Sequence, residues 1–223
     1  MAAPEPKPLP ARRGRGNRAG LTAARIVAAA RTLEPEKVTV KAVADRLGVD
    51  RAAVHHHVSD LNTLRELVAL DAFAARLAPV VIPPGADWPD ACRLLAVSMY
   101  DAVLASEGFG VYVRLTSTDV ALLEPVEHTL RIMLAAGFDQ EAAARFLATL
   151  ATLAGATARE RLLARRPSGH PQPAELHRAL EDRDAELPLL RRIADAPPLT
   201  FDEAQLHAGV DLLLDGMARR LPQ

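Results

Sequence analysis

The stretch that decides the fold of this chain is TVKAVADRLGVDRAAVHHHVSDLNTLRELV, from Thr39 to Val68. Its caps and apolar spacing predict a helix, a tight turn, a second helix and the start of a long third helix. Thr39 is the N-cap of the first helix, and Asp50 is the N-cap of the second. Gly48 marks the turn between them, because glycine tolerates the positive φ that such a turn often needs.

The spacing of Ala44, Gly48 and Val54 is typical of a helix-turn-helix. The small alanine lets the two helices approach closely, the glycine forms the turn, and the valine anchors the second helix in the core. The outward positions of the second helix carry slim or hydrogen-bonding residues, namely Arg51, Ala52, His55 and His56. A recognition helix needs such a surface to enter the major groove of DNA. His57 is predicted to point partly inward and to pack near the start of the next helix. The spacing alone would also suit an ordinary helical hairpin.

Charge is unevenly distributed along the 223 residues, although the net charge is only −1. Residues 1–66 carry 12 Lys and Arg against 7 Asp and Glu, a balance of +5, and the remainder carries −6. This division is typical of a DNA-binding head on a body that does not bind DNA. Helices are favoured throughout, since Ala and Leu dominate the apolar residues and aromatic residues make up only 4%.

Residues 1–20 are rich in Pro, Gly and Arg, so we expect a basic arm that is disordered in isolation. Its arginines are candidates for minor-groove contacts beside the helix-turn-helix: Arg12, Arg13, Arg15 and Arg18. A flexible tail without a role is the alternative. We place the helix-turn-helix domain at residues 21–68 and a C-terminal domain at residues 69–223.

The C-terminal domain is predicted to be helical, with helices from Trp88 to about Ala105, from near Glu124 to Gly137, and from Gln140 to about Arg165. Residues 166–173 are predicted to form a loop, and residues 174–193 to be weakly helical. The last helix is predicted to start at a capping box in which Thr200 is the N-cap. Its apolar stripe needs a partner, either within the chain or in a second copy.

The remaining features exclude several classes of protein. Cys92 is the single cysteine, so it cannot form an intrachain disulfide, and we predict a buried thiol. The consecutive residues His55, His56 and His57 cannot converge on one metal from a helix, and we expect no metal or cofactor. No catalytic motif is found, so an enzyme is not predicted. The chain has no signal peptide or bilayer-spanning stretch, which predicts a cytoplasmic protein.

At these residues the chain resembles the tetracycline-repressor (TetR) family of transcriptional regulators. The family motif stands here as residues 39–44, Gly48–Val49 and residues 55–59. A weaker likeness continues through Trp88, Gly137–Phe138 and Glu160, so that it covers roughly Leu21 to Leu221. The resemblance implies an all-α fold, in which a long helix joins a three-helix DNA-binding domain to a C-terminal ligand-binding and dimerisation domain.

The resemblance also implies site residues. Those expected to contact DNA are Thr39, Lys41, Arg51, Ala52, Ala53, His55, His56 and His57. By position in the resembled fold, a ligand pocket draws on Leu95, Met99, Val113, Thr116, Val126, Thr129 and Leu147, with Glu160 as a polar anchor. Such a lining predicts a small, mainly apolar ligand, but each residue could equally be plain core.

Two kinds of departure from the family pattern matter. His55 stands where a phosphate-holding tyrosine is usual, and Leu61 stands where a lysine often holds a phosphate. Leu77 and Val113 stand where tetracycline repressors have histidines that hold the drug and its magnesium. The resemblance therefore argues against a magnesium–tetracycline ligand.

Together these features predict a homodimeric repressor that a small ligand releases from a palindromic operator. The dimer would form through the helices near residues 141–165 and 201–220. Within the helix-turn-helix, Arg51 would read a base, Thr39 and Lys41 would hold phosphates, and the histidines would add mixed contacts, with some dependence on pH. The alternative is a ligand-independent DNA-organising or assembly protein that binds DNA loosely through its head and arm.

Overall fold

The computed structural model describes residues 20–106, 120–181, 187–196 and 201–221. Every regular element within these residues is a helix, which confirms the all-α fold class. The chain divides into two compact units, Met1–Arg65 and Glu66–Gln223. The four arginines of the predicted basic arm lie outside the described residues, as do the ligand candidates Val113 and Thr116.

The first unit holds three short helices and the beginning of a fourth. The helices are α1 (Ala23–Ala30), α2 (Val40–Leu47), α3 (Arg51–His55) and α4 (Leu61–Leu77), with a 3-10 helix at Pro35–Lys37. Side-chain oxygens fix where they begin. Thr22 Oγ1 accepts a hydrogen bond from the N–H of Arg25 at 3.2 Å, and Asp60 Oδ1 accepts one from the N–H of Thr63 at 2.8 Å. Each cap satisfies an N–H group that has no partner within its helix.

The turn between α2 and α3 depends on Gly48, which adopts the left-handed conformation with φ 66° and ψ 31°. The N–H of Val49 donates to the carbonyl of Ala44 at 3.0 Å, which closes the end of α2. A Cβ at Gly48 would have no heavy atom within 4 Å. Glycine is therefore favoured here by its backbone conformation and not by lack of space.

The core of the first unit contains most of the residues that the apolar spacing of its helices predicts, and in addition Val38, which lies before α2. Its fully buried side chains are Ile26, Ala30, Val38, Val43, Val54, Val58 and Leu64. Val43 is on α2 and Val54 on α3, and α2 and α3 contact each other directly. Leu47 is only half-buried, because it is the last residue of α2. Burial of these aliphatic side chains is the main favourable term that holds such short helices together.

The second unit is built around α5 (Trp88–Ala105), which packs most extensively against α7 (Gln140–Ala164). The other helices are α6 (Glu124–Ala135), α8 (Pro171–Leu180), α9 (Pro188–Asp195) and α10 (Glu203–Ala218), with a 3-10 helix at Val120–Leu122. The first two predicted starts, at Trp88 and near Glu124, are confirmed, as is the start at Gln140. None of the described helices has the length and apolar character that crossing a bilayer requires.

Aromatic side chains and small residues share the core of the second unit. The indole of Trp88 meets the ring of Phe138 edge to face at 4.9 Å and that of Phe146 at 6.4 Å. Cys92 is fully buried, which confirms the predicted buried thiol, and its Sγ lies 3.8 Å from Met133 Sδ. Burial raises the pKa of the Cys92 thiol to about 12, because the thiolate would lose its hydration.

Two local predictions in this unit are wrong. The loop predicted over residues 166–173 is shorter, because His170 caps α8 and Pro171 occupies its first turn, where a missing N–H costs nothing. The N-cap of α10 is Asp202 and not Thr200, since Asp202 Oδ1 accepts from the N–H of Gln205 at 3.0 Å. The preceding residue, Phe201, has a positive φ of 66°.

Candidate nucleic-acid interface and effector site

The first candidate surface is the outer face of α3, at the end that Asp50 caps. Asp50 Oδ1 accepts from the N–H of Ala52 at 2.9 Å, which fixes the first turn of the helix. Arg51 and Ala52 are exposed in this turn, Ala53 is half-buried, and Val54 anchors the helix in the core. An exposed arginine beside a methyl group, at the N-terminal end of a recognition helix, can donate in pairs to guanine O6 and N7 without steric hindrance.

Two further candidates lie at the start of α2. Thr39 is exposed, and its Oγ1 accepts from the N–H of Ala42 at 3.0 Å. Because that bond uses the oxygen as an acceptor, the hydroxyl proton of Thr39 can still be donated. Lys41 is exposed in the first turn of the same helix. A hydroxyl donor and an ammonium group at a helix N-terminus suit a phosphate oxygen.

The three histidines are all exposed. The prediction that His57 points partly inward is wrong, because α3 ends at His55 and the core position beyond it is taken by Val58. The rings of His56 and His57 meet edge to face at 5.7 Å. His55 Nδ1 lies 3.2 Å from the carbonyl oxygen of Ser59, in the turn that leads to α4.

The ligand candidates that the structure describes belong to the core of the second unit. Leu95 and Leu147 are buried in it, and Met99 and Val126 pack against it. Thr129 is fully buried, and its hydroxyl donates to the carbonyl of Pro125 at 2.8 Å. These residues therefore provide apolar surface, and the hydroxyl proton of Thr129 is already used within its own helix.

Glu160, the predicted polar anchor, is paired with His170. His170 Nδ1 accepts from the N–H of Gln172 at 3.1 Å, so the proton of the neutral ring is on Nε2, which donates to Glu160 Oε2 at 2.6 Å. The imidazole also stacks on Phe201 at 3.8 Å, with 11° between the rings, and its side chain is only 8% exposed. Sequence reasoning missed this cluster, although a polar residue directly before Pro171 was a signal for a helix cap.

A groove between α7 and α10 is an open apolar feature of the second unit. Its volume is about 590 Å³, and it is lined by Ala148, Thr149, Thr152, Leu153, Gly209, Leu212 and Leu213. Leu212 is 74% exposed. The hydroxyls of Thr149 and Thr152 donate to carbonyls one turn earlier in α7, each at 2.9 Å. The groove, which we call the α7–α10 groove, therefore presents almost only carbon atoms.

Metal binding has no support in the described ranges, where no three histidine, cysteine or acidic side chains come together. The arrangement as a whole is that of a two-unit helical protein with a helix-turn-helix in its first unit. The family model described as "Tetracyclin repressor-like, C-terminal domain" matches residues 82–221, which is more than half of the chain. The protein thus belongs to the tetracycline-repressor family of transcriptional regulators.

The similarity to solved structures covers both units of the chain. The chain is 22% identical to ActR from Streptomyces coelicolor in complex with actinorhodin, with a TM-score of 0.69 over 92% of this chain and 100% of that one. This chain is 23% identical to a possible TetR family transcriptional regulator from the same organism, with a TM-score of 0.67 over 89% of this chain and 99% of that one. It is 18% identical to a TetR variant from Acinetobacter baumannii in complex with minocycline, with a TM-score of 0.61 over 92% of this chain and 100% of that one. No curated protein matches the sequence.

Proposed function

We propose that this regulator is a homodimer that represses transcription from a palindromic operator and is released by a small, mainly apolar ligand. The observation that carries the proposal is the first turn of α3, where Asp50 caps the helix and Arg51 and Ala52 are exposed. Arg51 would read a base, while Thr39 and Lys41, at the start of α2, would hold phosphates. Ala53 and the three histidines complete the DNA-facing set. The proposal places the protein in the cytoplasm and gives it no catalytic role.

Dimerisation is supported by the α7–α10 groove. A single recognition helix contacts too few base pairs for specific binding, whereas a two-fold pair reads half-sites about 34–36 Å apart. The groove is apolar and contains the 74% exposed Leu212, which a second copy would cover by adding its own α7 and α10 to make a four-helix bundle. Its threonine hydroxyls are satisfied within α7, so covering it would leave no polar group unpaired.

Ligand-induced release would be a change in population between two arrangements of the dimer. The apolar candidates Leu95, Met99, Val126 and Leu147 support an effector that is bound mainly through apolar surface. Similar folds hold actinorhodin in ActR and minocycline in TetR. For Glu160 to serve as the polar anchor, an effector would have to compete with His170, its present partner.

The experiment that tests this proposal is the selection of duplexes from a random DNA pool with the full-length chain, followed by sequencing. We expect enrichment of a palindrome whose half-sites are about one helical turn apart. Enrichment of A/T-rich tracts alone, or of nothing, would contradict the proposal and favour a loose DNA-organising protein. The enriched duplex then provides an assay in which candidate effectors are scored by the release of DNA.

A further inference from the structure

The hydrogen bond of His55 determines how this residue can bind DNA. Its Nδ1 lies 3.2 Å from the carbonyl oxygen of Ser59, which can only accept. Nδ1 therefore carries a proton, and in the neutral ring the second nitrogen, Nε2, carries none. The nitrogen that remains available to a ligand is thus an acceptor when the ring is neutral and a donor when the ring is protonated.

We propose that His55 binds a DNA phosphate through Nε2 only as imidazolium, so that the DNA affinity of this protein rises as the pH falls from 8 to 6. The inference rests on the proposed DNA-binding function. Phosphate oxygens accept and do not donate. In a neutral His55, the lone pair of Nε2 would therefore face a lone pair of a phosphate oxygen, and no hydrogen bond would form. Donation from the neutral ring would require its proton to move to Nε2, and the bond to Ser59 would then be lost.

A comparison of histidine with tyrosine, the residue expected at this position from the family motif, shows what the imidazole changes. A tyrosine hydroxyl keeps its proton across the neutral range and can donate to phosphate at every pH in that range. Imidazole gains its second proton within the same range. The exchange therefore replaces a contact that is constant with one that depends on pH.

Two neighbouring histidines, His56 and His57, are the alternative source of such a dependence. The charged or titratable residues of α3, of the following turn and of the adjoining α2 are Arg51, His56, His57, Asp60, Lys41, Asp45 and Arg46. The N–H of Thr63 holds the pKa of the Asp60 carboxyl below its usual value, so Asp60 stays ionised throughout this range. His56 and His57 are the other histidines of this set, so both are substituted in the test.

The test uses the full-length protein and the duplex that is enriched from the random pool. Binding is measured by fluorescence anisotropy at pH 6, 7 and 8, at several salt concentrations, for the wild type and for His55→Gln, His55→Tyr, His56→Gln and His57→Gln. Because His55 is exposed, these variants should fold, and circular dichroism at each pH checks this. The salt series is essential, since a cation that binds a phosphate releases counterions.

We expect the wild type to bind roughly tenfold more tightly at pH 6 than at pH 8, as one charge-assisted bond forms in each copy. The logarithm of its affinity should also fall more steeply with the logarithm of salt at pH 6, by about 0.9 for each additional phosphate that is neutralised. The DNA affinity of His55→Gln should be nearly independent of pH and close to that of the wild type at pH 8. The affinity of His55→Tyr should also be nearly independent of pH, but close to that of the wild type at pH 6. His56 and His57 belong to the proposed DNA-facing set, so their substitution is allowed to change the affinity itself. Whatever that affinity is, His56→Gln and His57→Gln should keep the wild-type ratio between the affinities at pH 6 and pH 8.

Other outcomes would overturn the inference. A wild type that binds its palindrome equally at pH 6 and 8 would refute the role of His55 and leave the proposed function standing. A pH dependence that survives in His55→Gln and His55→Tyr, or disappears in His56→Gln, would place the titrating group elsewhere. Failure to bind any duplex at either pH would remove both proposals together.

Discussion

The two units of this protein bury their side chains by different means. The first uses short helices whose beginnings are fixed by single polar side chains, such as Thr39 and Asp50, and its turn is set by one glycine. The second uses long helices with an aromatic and small-residue core around Trp88. In the first unit, the burial of most apolar residues follows from their spacing along the helices. In the second, similar apolar side chains form the core, the candidate pocket and the candidate dimer surface.

The largest effect that we predict comes from the α7–α10 groove. Leu212→Glu places a charge on the surface that a second copy would cover, so the protein should become a folded monomer. Its affinity for a palindromic duplex should fall about a hundredfold or more, because the second half-site would no longer be held by the same molecule. Light scattering measures the mass, and anisotropy measures the binding.

A matched control is Leu134→Glu, since Leu134 is also an exposed leucine, at 43%, but lies on α6 and outside the groove. It should leave both mass and DNA affinity unchanged. A Leu212→Glu protein that is still dimeric would show that the groove is not the interface. If Leu134→Glu also dissociated the protein, the effect would have to be assigned to charge in general.

A smaller effect should separate base reading from phosphate binding within the first unit. Arg51→Ala should cost about 1–3 kcal/mol of binding free energy and relax the preference at one base position. Lys41→Ala should weaken binding to all sequences alike and reduce the salt dependence by about one unit. Selection experiments with both variants measure this. Equal loss by Arg51→Ala on every sequence would contradict its role as a base reader.

Two glycines should respond in opposite directions when they are replaced by alanine. Gly48→Ala should lower the free energy of unfolding of the first unit by about 1–2 kcal/mol, because a Cβ disfavours the left-handed conformation. Gly216→Ala, in α10 and with nothing within 4 Å of its Cβ, should raise that of the second unit by up to about 1 kcal/mol.

The two units can be followed separately in this experiment. Trp88 is the single tryptophan and lies in the second unit, so its fluorescence reports that unit alone, whereas circular dichroism reports both. Gly48→Ala should shift the dichroism transition in denaturant and leave the fluorescence midpoint in place. Coincident shifts of both signals would show that the two units unfold in one transition. Separate free energies of unfolding could then not be assigned to them.

The smallest effects should come from helix caps. Thr39→Ala and Asp139→Ala each remove a side-chain acceptor, for the N–H of Ala42 at 3.0 Å and of Ala142 at 2.9 Å respectively. Each should cost about 1 kcal/mol of stability. Only Thr39→Ala should also weaken DNA binding, and Thr39→Ser should restore it, because serine keeps the hydroxyl. Equal DNA affinity in the two alanine variants would leave Thr39 with a structural role alone.

Much of the fold was predictable because its signals are local. The caps Thr39 and Asp50, the turn at Gly48 and the buried positions Val43 and Val54 follow from residues within one or two helical turns. The error at His57 arose because α3 stops at His55, so the helical direction no longer applied two residues later. A helix of five residues leaves little room for periodicity to show its end.

The candidate effector site was less accessible to sequence reasoning, and the reason is physical. Glu160 lies on α7 and His170 caps α8, and their cluster is completed by Phe201, which stacks on the imidazole from just before α10. No spacing rule brings such residues together. The left-handed conformation of Phe201, directly before the cap of α10 at Asp202, could likewise not be predicted from the residue type, since aromatic residues do not favour it.

The inward-turned hydroxyls of Thr149 and Thr152 have a consequence for any cell that holds several related regulators. A surface that offers methyl groups in place of donors and acceptors contains no hydrogen-bonding code by which a subunit could recognise its own kind. Under the proposed assembly, fidelity of pairing would depend mainly on shape, through the fit of the second copy against lining residues such as Leu153 and Gly209. Related regulators with equally apolar grooves would then form mixed dimers, and a single polar substitution in the groove would be enough to prevent this.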